Sequence, residues 1–323
     1  MNFIEEIKKP IANAFSEFEE QFLMALHTEN PLLKKVTDFV VQTRGKQMRP
    51  ILVMLSAQIS GSIKQETIYS AVSLEILHAA SLIHDDVLDE SMERRGKQSI
   101  NAAFQNKVAI LAGDFYLSKS LQKVAHTQNI QIIEVVSQLG AMLAEGEFLE
   151  LANAKHVYID EKTYFEIIKD KTAILFSSCS QIGALSVGAS PEVVEKLRLF
   201  GEYIGNCFQI RDDIFDYFSA EIGKPTGSDL REGKLTLPLI FAIDNATEEE
   251  KKQVLRLVEK TSLEEEEISF LQEFAINKGG IEYAETKMAY YKNLALDQIA
   301  SFPASATKNA LVYYADYVVN RVS

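Results

Sequence analysis

The stretch from Thr67 to Glu90, TIYSAVSLEILHAASLIHDDVLDE, contains neither proline nor glycine. Its apolar residues recur at three- and four-residue spacing and leave few polar faces. That pattern predicts a helix buried on most sides. A second such stretch, KTYFEIIKDKTAILFSSCSQIGALS, runs from Lys162 to Ser186. Structure breakers are scarce, with 7 prolines and 15 glycines in 323 residues, and no segment sustains period-two alternation. Length alone allows one large domain or two. The absence of a Gly/Ser linker or a short-period repeat favours one. The expectation is an all-α chain, a single domain over 1–323 with ten or more helices.

Helix starts are marked by local chemistry. Asn30 followed by Pro31, and Ser190 followed by Pro191, read as caps with proline at the first helical position. Thr247 with Glu250, and Ser262 with Glu265, read as capping boxes. The one long turn-rich interruption is SAEIGKPTGSDLREGK, Ser219 to Lys234.

The Thr67–Glu90 stretch ends in Asp85, Asp86 and Asp89. FQIRDDIFDYF repeats the pattern at Asp212, Asp213 and Asp216. On a helix, residues four apart share a face, so Asp85 points with Asp89 and Asp212 with Asp216, the middle aspartates lying about 100° round. Carboxylates this close repel unless a cation or proton stands between them. A solvated helix face would account for one cluster. Both, however, are set among apolar residues, where uncompensated charge is costly. Oxygen-only ligands suit a hard cation such as magnesium, which commonly shares its shell with phosphate oxygens. Di-iron chemistry would need paired Glu-x-x-His motifs. Glu75 and His78 supply one, but His27, His84, His126 and His156 lack a glutamate three residues earlier.

Cations occur in distinctive settings: Lys46 and Arg49 beside Gly45, then Arg94 and Arg95, Lys171 next to Thr172 in an otherwise apolar stretch, and Lys224 and Lys234 around the turn-rich loop. Each alone reads as a surface charge. With the acidic clusters they suggest a site for two polyanions, since arginine forks bind phosphate oxygens bidentately and lysine acts as a point charge. No G-x-x-x-x-G-K-[ST] is present, so this is not a P-loop site.

Taken in order, GKQMRP, HDDVLDESMERRG, GDFYLSKSL, KTAILFSS, FQIRDDIFDYF and GKPTGSDLREGKLTLPL resemble the trans-isoprenyl diphosphate synthases, the polyprenyl synthetase family. The resemblance runs from about Gly45 to Leu239. It implies the all-α isoprenoid synthase fold around a deep central cavity, a homodimer, and magnesium-dependent condensation of an allylic diphosphate with isopentenyl diphosphate. By position, Asp85 and Asp89 would bind two metals with Asp86 in support, and Asp212 a third with Asp213 and Asp216 nearby. Arg94, Lys171 and Lys224 would hold the allylic diphosphate, with Lys234 closing the site. Gly45, Lys46, Arg49, His78 and Arg95 would hold isopentenyl diphosphate, and Thr172 and Gln209 would place oxygens near the developing cation. Ser228 stands where some relatives carry lysine. Bulky residues at the positions of Ala80 and Ser81 stop the product short in this family. Both are small here, which implies a medium or long product, about six to ten isoprene units of the quinone side-chain kind. The short-chain farnesyl or geranylgeranyl synthases are the alternative. A terpene cyclase needs one diphosphate only and leaves Lys46, Arg49 and Arg95 without a role. A non-catalytic partner subunit would be expected to lose aspartates, and a purely structural helical protein leaves both clusters unexplained.

The net charge of -13 argues against nucleic-acid binding and against an electrostatic membrane anchor. Cys179 and Cys207 lie in apolar stretches and read as buried free thiols of a reducing compartment. The opening MNFIEEIKKP lacks a long apolar core, and no long uncharged apolar run spans a membrane. These features imply a cytoplasmic chain. A long product would be poorly soluble, which leaves room for transient membrane contact at release.

Overall fold

The Thr67–Glu90 stretch forms one helix, Gln65–Leu88, that buries Ile68, Val72, Leu74, Ile76, Leu77 and Ile83. A computed structural model describes residues 3–94, 96–153, 159–218, 227–260 and 262–321. Among these residues the only strands are Glu93–Arg94 and Lys97–Gln98, a two-residue antiparallel ribbon. The rest of the regular structure is helical, as the scarcity of breakers implies, and no helix is long and apolar enough to cross a membrane.

Most predicted caps form. The Asn30 side chain accepts from the Leu32 and Leu33 amides ahead of the Pro31–Thr43 helix. Ser190 accepts from the Val193 amide at 3.4 Å, and the helix behind it runs Pro191–Phe215. Thr247 and Glu250 close a capping box. The Ser262 cap does not form. The Glu265–Asn277 helix starts behind Glu264 instead, whose amide donates to Glu267 Oε2 at 3.1 Å, and Glu265, Glu266 and Glu267 place negative charge at the helix's positive end.

The described residues divide into two compact units. The first lies within Met1–Gly140, Phe176–Leu199 and Ile299–Tyr314. Here the Gln65–Leu88 helix packs antiparallel against Asn106–Ala125. Ser73 and Ser120 each donate a hydroxyl to the other's carbonyl at 2.9 Å. Eleven residues further along the first helix, His84 lies against Gly113, where a Cβ would come within 2.1 Å of the imidazole. Gly183 similarly admits the Val53 carbonyl, 2.3 Å from where its Cβ would stand. The Met48–Ser60 helix is buried almost throughout its middle, with Ile51, Leu52, Val53, Met54 and Leu55 at zero exposure. Each such side chain contributes roughly 1.5–3 kcal/mol relative to exposure.

The second unit lies within Ala141–Leu175, Phe200–Gln298 and Ala315–Ser323. Its long apolar stretch is not one continuous α-helix. Lys169–Ala173 forms a π turn between Glu161–Ile168 and Ile174–Ser186. Gly205 accommodates that turn, since a Cβ there would stand 2.4 Å from the Ala173 Cα. Phe241 and Tyr283 stack with centroids 4.1 Å apart. Both cysteines are buried and free, and burial pushes their thiols up to about 12, so both stay protonated and unreactive near neutrality.

The Thr247 cap also sets an acid limit on stability. Glu250 accepts from Lys278 Nζ at 2.8 Å and from the Thr247 amide at 2.9 Å, and these bonds hold its carboxyl at about 2 against an ordinary 4.5. A depressed folded value means that the contribution is complete above the unfolded value and lost as pH falls towards the folded one. Glu250→Gln should therefore flatten the fall in melting temperature between about pH 4.5 and about pH 2, measured by thermal unfolding across that window.

Candidate active site

In the first unit, Asp85 and Asp89 sit one turn apart at the exposed end of the Gln65–Leu88 helix. Asp89 is the C-cap, its amide bonded to the Asp85 carbonyl at 2.8 Å. Asp86 turns inward and is 3% exposed. Its Oδ1 accepts from both Nε and Nη2 of Arg94 at 2.7 Å, so a cation on the ribbon neutralises the middle aspartate. The chain reverses through Glu90, whose φ is 49. The Ser91 amide returns to the Asp86 carbonyl at 3.0 Å, and Asn101 Nδ2 donates to both the Asp86 and Ser91 carbonyls at 3.0 Å.

Gly45, His78, Asp86 and Arg94 line a recess that opens to solvent. The structure thus brings together three of the predicted diphosphate-binding residues, Gly45, His78 and Arg94, with the aspartate predicted to support the metals. Lys46 and Arg49 flank Gln47, which has a left-handed φ of 55 at the start of the Met48–Ser60 helix. Lys46 is exposed, while Arg49 is half-buried with its guanidinium 5.1 Å from the Phe176 ring centroid. Ala80 is buried. Ser81 is half-buried and folds its hydroxyl back onto the His78 carbonyl at 3.0 Å. Arg95 lies outside the described residues.

In the second unit the π turn presents Lys171 and Thr172. Lys171 Nζ stands 3.4 Å from Glu147. Thr172 Oγ1 donates to Gln209 Oε1 at 2.7 Å, Gln209 Nε2 donates to Asp213 Oδ1 at 2.8 Å, and Tyr164 donates to Asp213 Oδ2 at 2.5 Å. Asp213 is 2% exposed. Burial pushes its carboxyl up to about 7 against the pull of the Tyr164 and Gln209 bonds. Asp212 instead pairs with Arg321 Nη2 at 2.6 Å. Asp216 accepts from the Ser228 amide and hydroxyl at 2.9 and 2.8 Å and from the Asp229 amide at 3.1 Å. Burial, followed by Asp213 and Asp216, raises Asp229 to about 8. Lys234 pairs with Glu232 at 2.6 Å. Ser228 thus acts as a donor to the aspartate motif. Lys224 lies outside the described residues.

Sequence reading passed over Asn101, Glu147, Tyr164, Asp229 and Arg321. Tyr164 carried a weak signal, a phenol within an apolar run whose hydroxyl needs a partner once buried. Arg321 carried none. It follows the Ala306–Asn320 helix and lies over Phe208, its guanidinium 3.9 Å from the ring centroid. Among the described residues no three His, Cys, Asp or Glu side chains close a metal cage. The donor set is nonetheless all oxygen, with Asp85 and Asp89 at a helix end. It fits a hard cation that completes its shell with water and phosphate.

The family model described as Polyprenyl synthetase matches residues 30–274. The chain belongs to the polyprenyl synthetase family. It is 32% identical over 320 residues to an octaprenyl diphosphate synthase of Haemophilus influenzae, covering 98% of this chain and 97% of that relative. Its fold superposes on a decaprenyl diphosphate synthase from Rhodobacter capsulatus with a TM-score of 0.92, at 32% identity and 99% coverage of both chains. A geranylgeranyl pyrophosphate synthase from Bacteroides thetaiotaomicron gives a TM-score of 0.87 at 44% identity, over 99% of this chain and 100% of that one. The all-α fold is thus the isoprenoid synthase fold of these polyprenyl synthetases.

In this polyprenyl synthetase the Tyr164 hydroxyl donates to a buried carboxylate, Asp213 Oδ2. Tyr164→Phe should lower the unfolding free energy by about 1–3 kcal/mol, because Asp213 would keep its burial and lose a donor. Urea titration of the two proteins at neutral pH measures the difference.

Proposed function

We propose that this prenyltransferase is a magnesium-dependent trans-polyprenyl diphosphate synthase of the medium- or long-chain class, which adds successive isopentenyl diphosphates to an allylic diphosphate. The observation that carries the reading is a cation close to motif aspartates in each unit, Arg94 on Asp86 in the first and Lys171, next to the Thr172–Gln209–Asp213 chain, in the second. We take the whole of 1–323 as one polyprenyl synthetase domain.

Asp85, Asp89 and Asp212 would hold up to three magnesium ions, which supply positive charge for the departing diphosphate. Arg94, Lys171 and Lys224 grip the allylic diphosphate, and Lys234 closes over it. Gly45, Lys46, Arg49, His78 and Arg95 hold isopentenyl diphosphate. The allylic C–O bond breaks with its electron pair leaving on diphosphate. The Thr172 and Gln209 oxygens stand by the resulting cation. The double bond of isopentenyl diphosphate then supplies the pair for the new C–C bond, and the released diphosphate takes the proton that is lost. Apolar walls keep water from the cation.

Ala80 and Ser81 support a long product, as do the octaprenyl and decaprenyl relatives. The geranylgeranyl relative, more similar in sequence than either, supports a short-chain synthase as the second reading. A homodimer is supported by the apolar side chains that the Asn106–Ala125 helix leaves exposed, Ile110, Leu111, Leu117 and Leu121. The free, protonated cysteines suit a cytoplasmic enzyme.

The test is turnover by the purified chain with both diphosphates and magnesium, with products separated by reversed-phase chromatography. Asp85→Ala and Asp212→Ala should each cost at least about a hundredfold in turnover, the loss of one strong electrostatic contact. Near-normal turnover in both at limiting magnesium overturns the metal assignment. Ser81→Phe, alone and with Ala80→Phe, should shorten the product stepwise towards about three to five units while the first condensation survives, because a packed interior cannot surrender room for an aromatic ring. An unchanged distribution in the active double variant refutes this account of length.

A further inference from the structure

The turn after the Gln65–Leu88 helix breaks a local rule. Its Ser91 amide returns to the Asp86 carbonyl at 3.0 Å across Glu90 at φ 49. Helix ends of this shape place glycine at the left-handed residue, and a side chain there is strained. Asn101 opposes that strain. Its Nδ2 donates at 3.0 Å to the carbonyls of Asp86 and Ser91, one on each side of Glu90. Both partners can only accept, so the amide orientation is fixed by chemistry. Among the described residues its buried Oδ1 has no hydrogen-bond partner, so within them the side chain serves through its donors. Ser99 adds a hydroxyl bond to the Ser91 carbonyl at 2.6 Å and an amide bond to the Met92 carbonyl at 3.1 Å. From this clamped turn the chain enters the ribbon, where Arg94 lays Nε and Nη2 on Asp86.

We infer that Asn101 is a positioning residue for the allylic diphosphate: by locking the Asp86–Ser91 turn it fixes the Arg94 guanidinium on Asp86. The inference rests on the reading that Arg94 grips that diphosphate. Asn101 acts through Arg94 and touches no reacting atom. Without the clamp, the turn relaxes away from the left-handed conformation at Glu90 and the arginine loses its fixed direction. In that reading isopentenyl diphosphate is held by Gly45, Lys46, Arg49 and His78 as well as Arg95, so it keeps most of its contacts, whereas the allylic diphosphate loses the direction of Arg94 itself.

The test is steady-state kinetics of the full-length enzyme with each substrate varied in turn, with melting temperatures recorded alongside. Asn101→Ala should raise the allylic KM about tenfold, the order of a weakened charge-assisted phosphate contact, and leave the isopentenyl KM within about twofold. Glu90→Gly in the Asn101→Ala background should recover most of that loss, because glycine adopts the left-handed turn without strain. A merely structural asparagine would lower the melting temperature and the active fraction but would not separate the two constants. The inference is overturned if both constants move together, or if neither moves in a folded variant. If Asn101→Ala does not fold, Asn101→Ser carries the same comparison. Arg94→Ala separates the two levels: an unchanged allylic KM there overturns the Arg94 assignment and the inference with it. A raised KM there with an unaffected Asn101→Ala enzyme overturns the inference alone.

Discussion

Asp86 and Asp213 are carboxylates in an apolar interior, and the geometry around each depends on how that charge is compensated. An ionised group without partners would cost several kcal/mol. Asp86 meets the problem with a full counter-charge, the Arg94 guanidinium. Asp213 meets it with neutral donors, Tyr164 and Gln209, and burial still raises its carboxyl to about 7. The two solutions have different consequences. The ion pair ties a ribbon to the end of a helix. The neutral network ties the π turn, through Thr172 and Gln209, to the helix that carries the second aspartate motif.

Helical spacing divides the labour within each motif. In the first, the outer pair one turn apart faces outward and the middle aspartate faces in. Asp86 is committed to the Arg94 pair, and the metal role proposed above falls to Asp85 and Asp89. In the second, Asp212 and Asp216 take different partners although they share a helical face in the idealised pattern. The helix ends at Phe215, so Asp216 lies beyond it and caps the short Ser228–Arg231 helix instead. Asp212 remains within the helix and meets Arg321. Small residues play the complementary part: Gly183 and Gly205 allow close backbone approaches, and Gly113 makes room for the His84 imidazole.

The main helices were legible because their signals are local. Periodic apolar residues, Asn30, Ser190 and Thr247 each act within a turn of their own position. Ser262 misled because the four glutamates after Leu263, Glu264 to Glu267, offered an equally local competitor for the cap. The aspartate motifs were legible as chemistry, since clustered charge in apolar surroundings demands compensation. Their partners were not. Arg321 reaches Asp212 across 109 residues of chain, and nothing near either residue announces the pair. The π turn was hidden for another reason: KDKTA has no breaker, and the irregular turn is accommodated by Gly205 on a different helix.

Three departures from local preference fall beside residues proposed to bind diphosphate, whereas the left-handed Gln105 and Gln128 do not. Gln47 is left-handed between Lys46 and Arg49, Glu90 is left-handed between the first aspartates and Arg94, and the π turn carries Lys171 and Thr172. A regular helix would point successive side chains about 100° apart and fix their directions by spacing alone. A diphosphate needs cations that converge on one small anion from several directions. In the proposed function each of these three irregularities re-aims a cation, at a cost of about 1–3 kcal/mol that the packed helices around it must offset. The Asn101 bridge and the Gly205 approach are the two places where the structure shows how an irregular turn is held. Each lies outside the chemistry it serves, one donating two hydrogen bonds across a strained residue and the other removing a side chain that would push the turn away.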